Sequence, residues 1–397
     1  MAFTKAYVPY GGYWSSPYAK WQGSFADMHS MKLAATTAAK FFEARKIAPD
    51  RFDNCYLGLT IPQQHSFYGG PWLAGLFGDG GITGPWINQA CITGAVCVKM
   101  ASQDIDGGVA QSSLVVAADR CSNGPHLYYP SQSAPGGTGK AENWVWDNFS
   151  FDPWAKGSMI QTAENVAKEC DISKDEQDEL TQRRFEQYQM AFADDRAFQK
   201  KYMIPVEVGR GKRAKSIDAD EGVFPTTLDG LKGLKPMMPE GTVSFGSQTH
   251  PADGNSGMIV TTKEIAAELA TDSKIEIQFV GFGTARTKKG YMAMAVAPAA
   301  KAALEDAGIS VGDLKAVHTH NPFAVNDIHL SRELGYDKNE MNNYGSPLIW
   351  GHPQGPTALR VIMELIEELA TKGGGYGLFA GCAAGDTAAG CVVKVSG

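Results

Sequence analysis

The sequence predicts an α/β chain made of two copies of one half, with an insertion between them. Three features repeat in register. E-A-R-K-I-A-P-D-R-F from Glu43 matches E-D-A-G-I-S-V-G-D-L from Glu305, 262 positions later, and both follow an Ala-rich helical stretch and precede a strand. Two turns, one at Cys91 and one at His352, stand 261 positions apart and each opens a helix. L-V-V-A-A from Leu114 resembles G-L-F-A-G-C, Gly377 to Cys382, another apolar strand that ends at a small-residue turn. Corresponding turns of such halves meet near a pseudo-twofold axis, so Cys91 and His352 are expected to face each other.

Taken in order, Ala6 to Val8 is a short strand. The Gly-rich loop through Gly23 carries Tyr10, Tyr13, Trp14, Tyr18 and Trp21, which either line a pocket or pack under a covered loop or subunit contact. Phe25 to Lys46 has helical periodicity and Phe52 to Leu59 reads as a strand. The aromatic, Gly-rich run Gln63–Gly84 leads into I-N-Q-A-C-I-T-G-A-V-C-V-K-M-A, Ile87 to Ala101. That stretch is a strand end, a tight turn and the start of a helix, with Gly94 permitting close backbone approach. From Asp119 to about Glu240, segments rich in Ser, Pro, Gly and charge flank a helix over Lys174 to Phe192, whose Ser173 and Glu176 have the spacing of a capping box. The expected organisation is an N-terminal half over 1–118, completed by 241–271, a loop domain over 119–240, and a C-terminal half over 272–397.

A chain of 397 residues with 43% hydrophobic residues can bury a large core. Its net charge of −7 argues against nucleic acid or an anionic membrane as partner. Seven cysteines, odd in number and without C-x-x-C spacing, suit a reducing cytosol better than a disulfide framework or structural zinc. Neither a signal peptide core nor a run of transmembrane length is evident, so a soluble, cytoplasmic protein is expected.

Cys91 admits two readings. At a strand-to-helix turn, free N–H groups and the helix dipole favour an anion, so its thiol is expected below its ordinary pKa of about 8.5 and nucleophilic. Alternatively it is a small buried hydrophobe. The run R-G-K-R-A-K, Arg210 to Lys215, is either a solvated loop or a cradle for nucleotide phosphates, with Arg210, Lys212 and Arg213 as its charges. His318 and His320, two apart on a strand, share a side; no third donor is evident, so no metal is expected and His318 reads as a supporting histidine.

These residues carry a resemblance. N-x-x-C-x-(S/T)-G around Cys91, G-H-P-x-G at Gly351–Gly355 and F-A-G-C-A-A-G around Cys382 resemble the signatures of the thiolases. G-S-M-I-Q-T-A-E-N (Gly157 to Asn165), I-P-V (Ile204 to Val206) and G-T-V-S-F-G-S (Gly241 to Ser247) extend the likeness along nearly the whole chain. The resemblance implies the five-layered αβαβα thiolase fold, a homodimer or dimer of dimers, and coenzyme A as co-substrate and acyl carrier, with no permanently bound cofactor. It implies that a 3-ketoacyl-CoA is cleaved through an acyl group on Cys91, with His352 as the base for that thiol. His320 then stabilises the enolate, and Cys382 protonates it and activates the incoming coenzyme A.

Departures bear on the substrate. His320-Asn321-Pro322-Phe323 stands where acyl-chain-degrading thiolases carry N-E-A-F, and is similar to the sterol-carrier-type and archaeal thiolases, whose motif begins with His. Cys382-Ala383-Ala384-Gly385-Asp386 replaces C-x-G-G-G and adds a carboxylate near the site. In G-S-Q-T-H-P-A-D-G, Thr249 replaces a serine near the pantetheine arm and His250 a glycine. An aromatic or carboxylated acyl group is therefore expected. The nearest specific likeness is to benzoylsuccinyl-CoA thiolase, whose thiolase subunit pairs with a small zinc-finger subunit. Two alternatives remain open: a Claisen-condensing relative of the ketoacyl or hydroxymethylglutaryl-CoA synthase type, and a thiolase-fold subunit that binds acyl-CoA without chemistry. A cysteine at position 382 speaks against the first, and retention of all four candidate residues against the second.

Overall fold

The computed structural model, which describes residues 3–78, 81–209 and 211–397, turns the sequence repeat into a repeat of elements. The N-terminal copy contributes strand β1 (Tyr7–Pro9), helix α1 (Ser30–Arg45), strands β2 (Asn54–Gly58) and β3 (Trp86–Ile87), helix α2 (Thr93–Asp106) and strand β4 (Ser112–Arg120). Helix α3 (Lys174–Ala191) lies in the insertion, and strand β5 (Ala252–Thr261) follows it. The second copy runs through strand β6 (Glu276–Arg286), helix α4 (Val296–Ala307), strand β7 (Leu314–His320), helices α5 (Ala324–Leu334) and α6 (Gly355–Thr371), and strands β8 (Gly375–Ala383) and β9 (Thr387–Ser396). Helices α2 and α6 open at Thr93 and Gly355, again 262 positions apart.

The strands pair in the order β7-β8-β9-β6-β1-β5-β4-β2-β3, and the pattern is symmetric about the β6–β1 seam. On one side β7 and β8 run parallel, then β9 and β6 antiparallel; on the other, β2 and β4 run parallel, then β5 and β1 antiparallel. Strands β4 and β8 are the apolar runs of the sequence. Both are covered on both faces, which is why they do not alternate.

Helix α1 packs on β4 and β5 from outside, and α4 packs on β6, β8 and β9 from outside. Helices α2 and α6 lie between and touch strands of both halves. Three buried apolar clusters follow from this layering: one under α1, one under α4 and α5, and a central one around α2 and α6. The central helices cross at Gly94, where an added Cβ would sit 2.8 Å from the Gly355 carbonyl oxygen and 2.8 Å from Leu359 Cγ. Only glycine allows that crossing. Helix α1 begins at Ser30 rather than Phe25, because 25–28 forms a separate turn closed by the Met28 N–H on the Phe25 carbonyl.

The insertion is pinned by buried polar contacts as well as by apolar residues such as Val166, Leu180 and Tyr188, and the polar contacts account for much of the charged character of α3. Ser173 accepts the Glu176 N–H at 3.1 Å, half of the expected capping box, while the Glu176 carboxylate turns away to Arg332 and Lys338. Arg184 is fully buried and bonds Asp327 of α5 at 2.8 Å and 3.0 Å. Arg360 of α6 grips Asp220 of the insertion through two bonds, 2.6 Å and 2.8 Å, with its guanidinium over the Trp350 ring. Removing one partner of a buried pair leaves the other charge uncompensated. Arg184→Leu should therefore cost about 3–5 kcal/mol in urea denaturation. Lys301→Ala, which breaks the exposed pair with Glu333, should cost under about 1 kcal/mol.

Candidate active site

Strand β3 delivers the chain to a 3₁₀ turn, Ala90–Ile92, on which Cys91 sits just ahead of α2. Asn88 Oδ1 accepts the Ala90 N–H at 3.0 Å and Thr93 Oγ1 accepts the Gln89 N–H at 2.8 Å, so the turn is held from both ends. His352 occupies the corresponding turn before α6. Its N–H donates to the His250 carbonyl at 2.9 Å, and its Nδ1 meets Thr357 Oγ1 at 2.7 Å. With Nδ1–H donating, Nε2 is left as a bare acceptor, and it has no hydrogen-bond partner. His320 ends β7 and lies against His352, ring centroids 4.3 Å apart and planes tilted by 33°. The strand neighbour of His320 is Gly381, where an added Cβ would come within 2.8 Å of His320 Cβ.

Cys91 Sγ and ring nitrogens of His320 and His352 all lie within 4.8 Å of one another. The expected facing of Cys91 and His352 is thus present, and His320 joins them. This thiol and two imidazoles form a donor set that a soft divalent cation can use. His318 does not belong to it: its Nε2 lies 2.7 Å from Glu368 Oε2 of α6, the supporting role expected of it. Cys382, near the end of β8, receives the Asn326 Nδ2–H at 3.2 Å, and charge on Cys91 bears directly on it.

One electrostatic expectation is overturned. Burial pushes the Cys91 thiol up to about 12, although the N–H groups of Ala384 and Cys91 itself act to lower it. Its apolar neighbours Ile92, Ala383, Ala389, Val96 and Phe282 outweigh the helix terminus. Burial also lowers His320 to about 3, and burial together with His320 holds His352 well below the ordinary histidine value. Burial, then the charge of Cys91, raises Cys382 far above a free thiol. The resting site is therefore neutral throughout.

The remaining expected residues fall elsewhere. Thr249 spends its hydroxyl proton on the Pro347 carbonyl at 2.6 Å and its N–H on Pro322 at 2.7 Å, tying the loop after His320 to the loop before His352. Lys212 and Arg213 lie exposed on a turn between strands Val206–Val208 and Lys215–Ile217, and make no ion pair with any described residue. Arg210 lies outside the described residues. Asp386 spends its carboxylate on the Gly290 and Tyr291 N–H groups, which it accepts at 2.9 Å and 3.1 Å.

Residues 14–264 match the thiolase N-terminal domain and residues 273–395 the thiolase C-terminal domain. The chain belongs to the thiolase family. It is 28% identical to a mitochondrial acetyl-CoA acetyltransferase of Gibberella zeae, over 96% of this chain and 88% of that protein. It is 29% identical to an acetyl-CoA acetyltransferase of Paracoccus denitrificans, over 93% and 94%. A β-ketoadipyl-CoA thiolase of Acinetobacter baylyi is 28% identical over 75% of each chain. Human mitochondrial 3-ketoacyl-CoA thiolase in complex with CoA superposes with a TM-score of 0.91 at 23% identity, covering 100% of this chain and 99% of that one, which shows a common fold.

This thiolase-family acyltransferase has site residues that its motifs did not single out. Asn326 donates to the Cys382 sulfur, and Gln354 Oε1 accepts the Cys91 S–H at 3.3 Å. Asp119, raised by burial to about 7, accepts the Gly355 N–H at 2.9 Å and so holds the start of α6. Gln354 was within reach of sequence reading, as the variable position of Gly-His-Pro-x-Gly; Asp119 and Asn326 carry no such signal. The neutral histidines have a consequence for stability. Unfolded, an imidazole titrates near 6.5, whereas folded His320 holds out until about 3, so between these values the unfolded chain binds more protons. Stability is full above pH 6.5 and falls as pH drops through that window. From pH 6.5 to 4.5 the wild type should lose about 2–3 kcal/mol more than His320→Asn in chemical denaturation. Equal pH slopes would refute the buried neutral imidazole.

Proposed function

We propose that this thiolase cleaves a 3-ketoacyl-CoA with free coenzyme A, through an acyl group on Cys91, to acetyl-CoA or a longer acyl-CoA and a shortened acyl-CoA. The observation that carries the reading is the meeting of Cys91, His320 and His352 within 4.8 Å, with Cys382 beside them. His352 Nε2 takes the Cys91 proton, and the sulfur adds to the C3 ketone. The C2–C3 bond then breaks, its electrons passing to an enolate whose oxygen accepts a hydrogen bond from neutral His320. Cys382 supplies the proton to C2, and the resulting thiolate takes one from incoming coenzyme A, whose sulfur attacks the thioester on Cys91. The N–H groups of Cys91 and Ala384, which act on the Cys91 sulfur, would stabilise negative charge that develops beside it. Cys382 with its Asn326 contact favours thiolysis over the one-cysteine condensing chemistry.

The acyl group is aromatic or carboxylated in this reading, with benzoylsuccinyl-CoA as the candidate. A cavity of about 300 Å³ supports it, lined by Phe224, Leu231, Phe245, Leu348 and Ile349 and by His250, whose carbonyl holds the His352 N–H. The relatives named for β-ketoadipyl-CoA act on a carboxylated chain, in keeping with the same reading. Assembly is proposed as a homodimer that takes up a small zinc-finger subunit. All seven cysteines are free, which suits a cytoplasmic setting.

Three measurements test this. Mass spectrometry after mixing with acyl-CoA should place the adduct on the Cys91 peptide; an adduct on Cys97 or Cys382 with Cys91 unmodified would sink the mechanism. Cys382→Ser should lose thiolysis by about 100- to 10,000-fold yet still label Cys91, while His352→Ala loses both. Replacing Arg210, Lys212 and Arg213 together by alanine should weaken coenzyme A binding, most at low salt, by about 1–2 kcal/mol per lost contact. Unchanged affinity would make that turn a solvated loop.

A further inference from the structure

Gln354 is held in a backbone conformation that its residue type disfavours, and its side chain touches the nucleophile. Its φ of 61° and ψ of −109° lie where glycine is at ease and a side chain costs strain. The residue is nonetheless a glutamine, largely buried, with its Oε1 3.3 Å from Cys91 Sγ. The same carboxamide acts on the His352 imidazole, whose Nε2 has no partner of its own. Next to it, the Gly355 N–H is fixed on Asp119 at 2.9 Å, so the strained residue cannot relax by letting the start of α6 turn. One carboxamide therefore stands against both members of the pair between which a proton must pass.

We propose that Gln354 is a further catalytic residue, a reversible hydrogen-bond partner of the Cys91 sulfur. A neutral thiol donates its S–H and a thiolate only accepts. A carboxamide can serve both states: Oε1 accepts the S–H at rest, and after a half-turn about its last torsion Nε2–H donates to the thiolate. In the step itself the S–H bond breaks, its electron pair stays on sulfur, and the proton moves to His352 Nε2. Gln354 gains and loses none. A hydrogen bond to an ionised acceptor is the stronger of the two, so the amide favours the thiolate on balance. This offsets part of the cost of making an anion in a site whose burial opposes one. The kinetic part of the inference rests on the acyl-Cys91 reading; the ionisation part does not.

The test is the pH dependence of Cys91 alkylation by iodoacetamide, followed on the Cys91 peptide by mass spectrometry, in wild type, Gln354→Leu and Gln354→Glu. Leucine keeps the bulk and removes both hydrogen bonds, and should slow alkylation at pH 7 about three- to tenfold. Glutamate keeps the shape but repels a thiolate once ionised, and at a pH where it is ionised should slow alkylation further, with the profile displaced to higher pH than in Gln354→Leu. Thiolysis should follow the same order through kcat, with KM little changed. Thermal melting and coenzyme A binding identify a variant that has misfolded, and Gln354→Met then replaces it as the apolar variant. Superposable profiles in wild type, Leu and Glu would overturn the proposal, as would faster alkylation in Gln354→Leu, which would make the amide a partner of the thiol alone. A wild type that alkylates as expected but cleaves no ketoacyl-CoA would instead count against the thiolysis reading.

Discussion

The site depends on one close crossing, that of the two central helices at Gly94. Helix α2 carries Cys91 at its start, and α6 carries His352 and Gln354 at its start. The turns meet only because no Cβ separates Gly94 from the Gly355 carbonyl. An added methyl there would lie 2.8 Å from backbone, a distance side-chain adjustment cannot relieve, so the helices would have to part. A displacement of an ångström between nucleophile and base is enough to cost much of a rate. The apolar packing of α2 and α6 in the central cluster, with Leu359 directly against Gly94, holds the crossing in place.

Burial governs the chemistry once the crossing is made. A thiol at a helix start is ordinarily expected to be acidic, but here the loss of water outweighs the dipole and leaves Cys91 near 12. The histidines move the opposite way for the same reason. Desolvation thus favours the uncharged form of both thiol and imidazole. An uncharged His320 is also the form with one N–H to donate and no positive charge to compete for the nucleophile's electrons. The same dry environment strengthens each hydrogen bond aimed at developing charge.

Much of this was legible in the sequence for identifiable reasons. The duplication showed because matching segments kept one offset, and apolar strands buried on both faces are plain in a linear reading. Cys91, His320, His352 and Cys382 stood out through the motifs around them, and the facing of Cys91 and His352 through the twofold argument; that His320 joins them was not foreseen by that argument. What escaped reading was polar and non-local. The buried polar side of helix α3 is one case: Arg184, Gln187 and Gln177 sit among Leu180, Tyr188 and Ala191 and find their partners far along the chain. The acidity of Cys91 was misjudged because the sequence shows the helix start but not the apolar residues of β8 and β9 packed against it. Asp386 looked like a site carboxylate because its claim by the amides of Gly290 and Tyr291 spans nearly a hundred residues.

The two halves share a backbone but divide the work, and the division is visible at equivalent strand positions. Cys382 is the eighth residue of β8, and Asp119 is the eighth residue of β4. His320 closes β7 as Gly58 closes β2. The second copy thus places His320 and Cys382, reacting groups in the proposed mechanism, where the first places a glycine and a carboxylate. That carboxylate is fully engaged, by the N–H groups of Thr60, Ile61 and Gly355 and by the Thr60 hydroxyl. Its hydrogen bond to Gly355 secures the beginning of α6, one residue from Gln354 and three from His352. A pseudo-twofold that brings two strand ends together therefore need not duplicate a catalytic group. In the proposed mechanism one end exchanges protons, while the other, through Asp119, holds the helix start beside it.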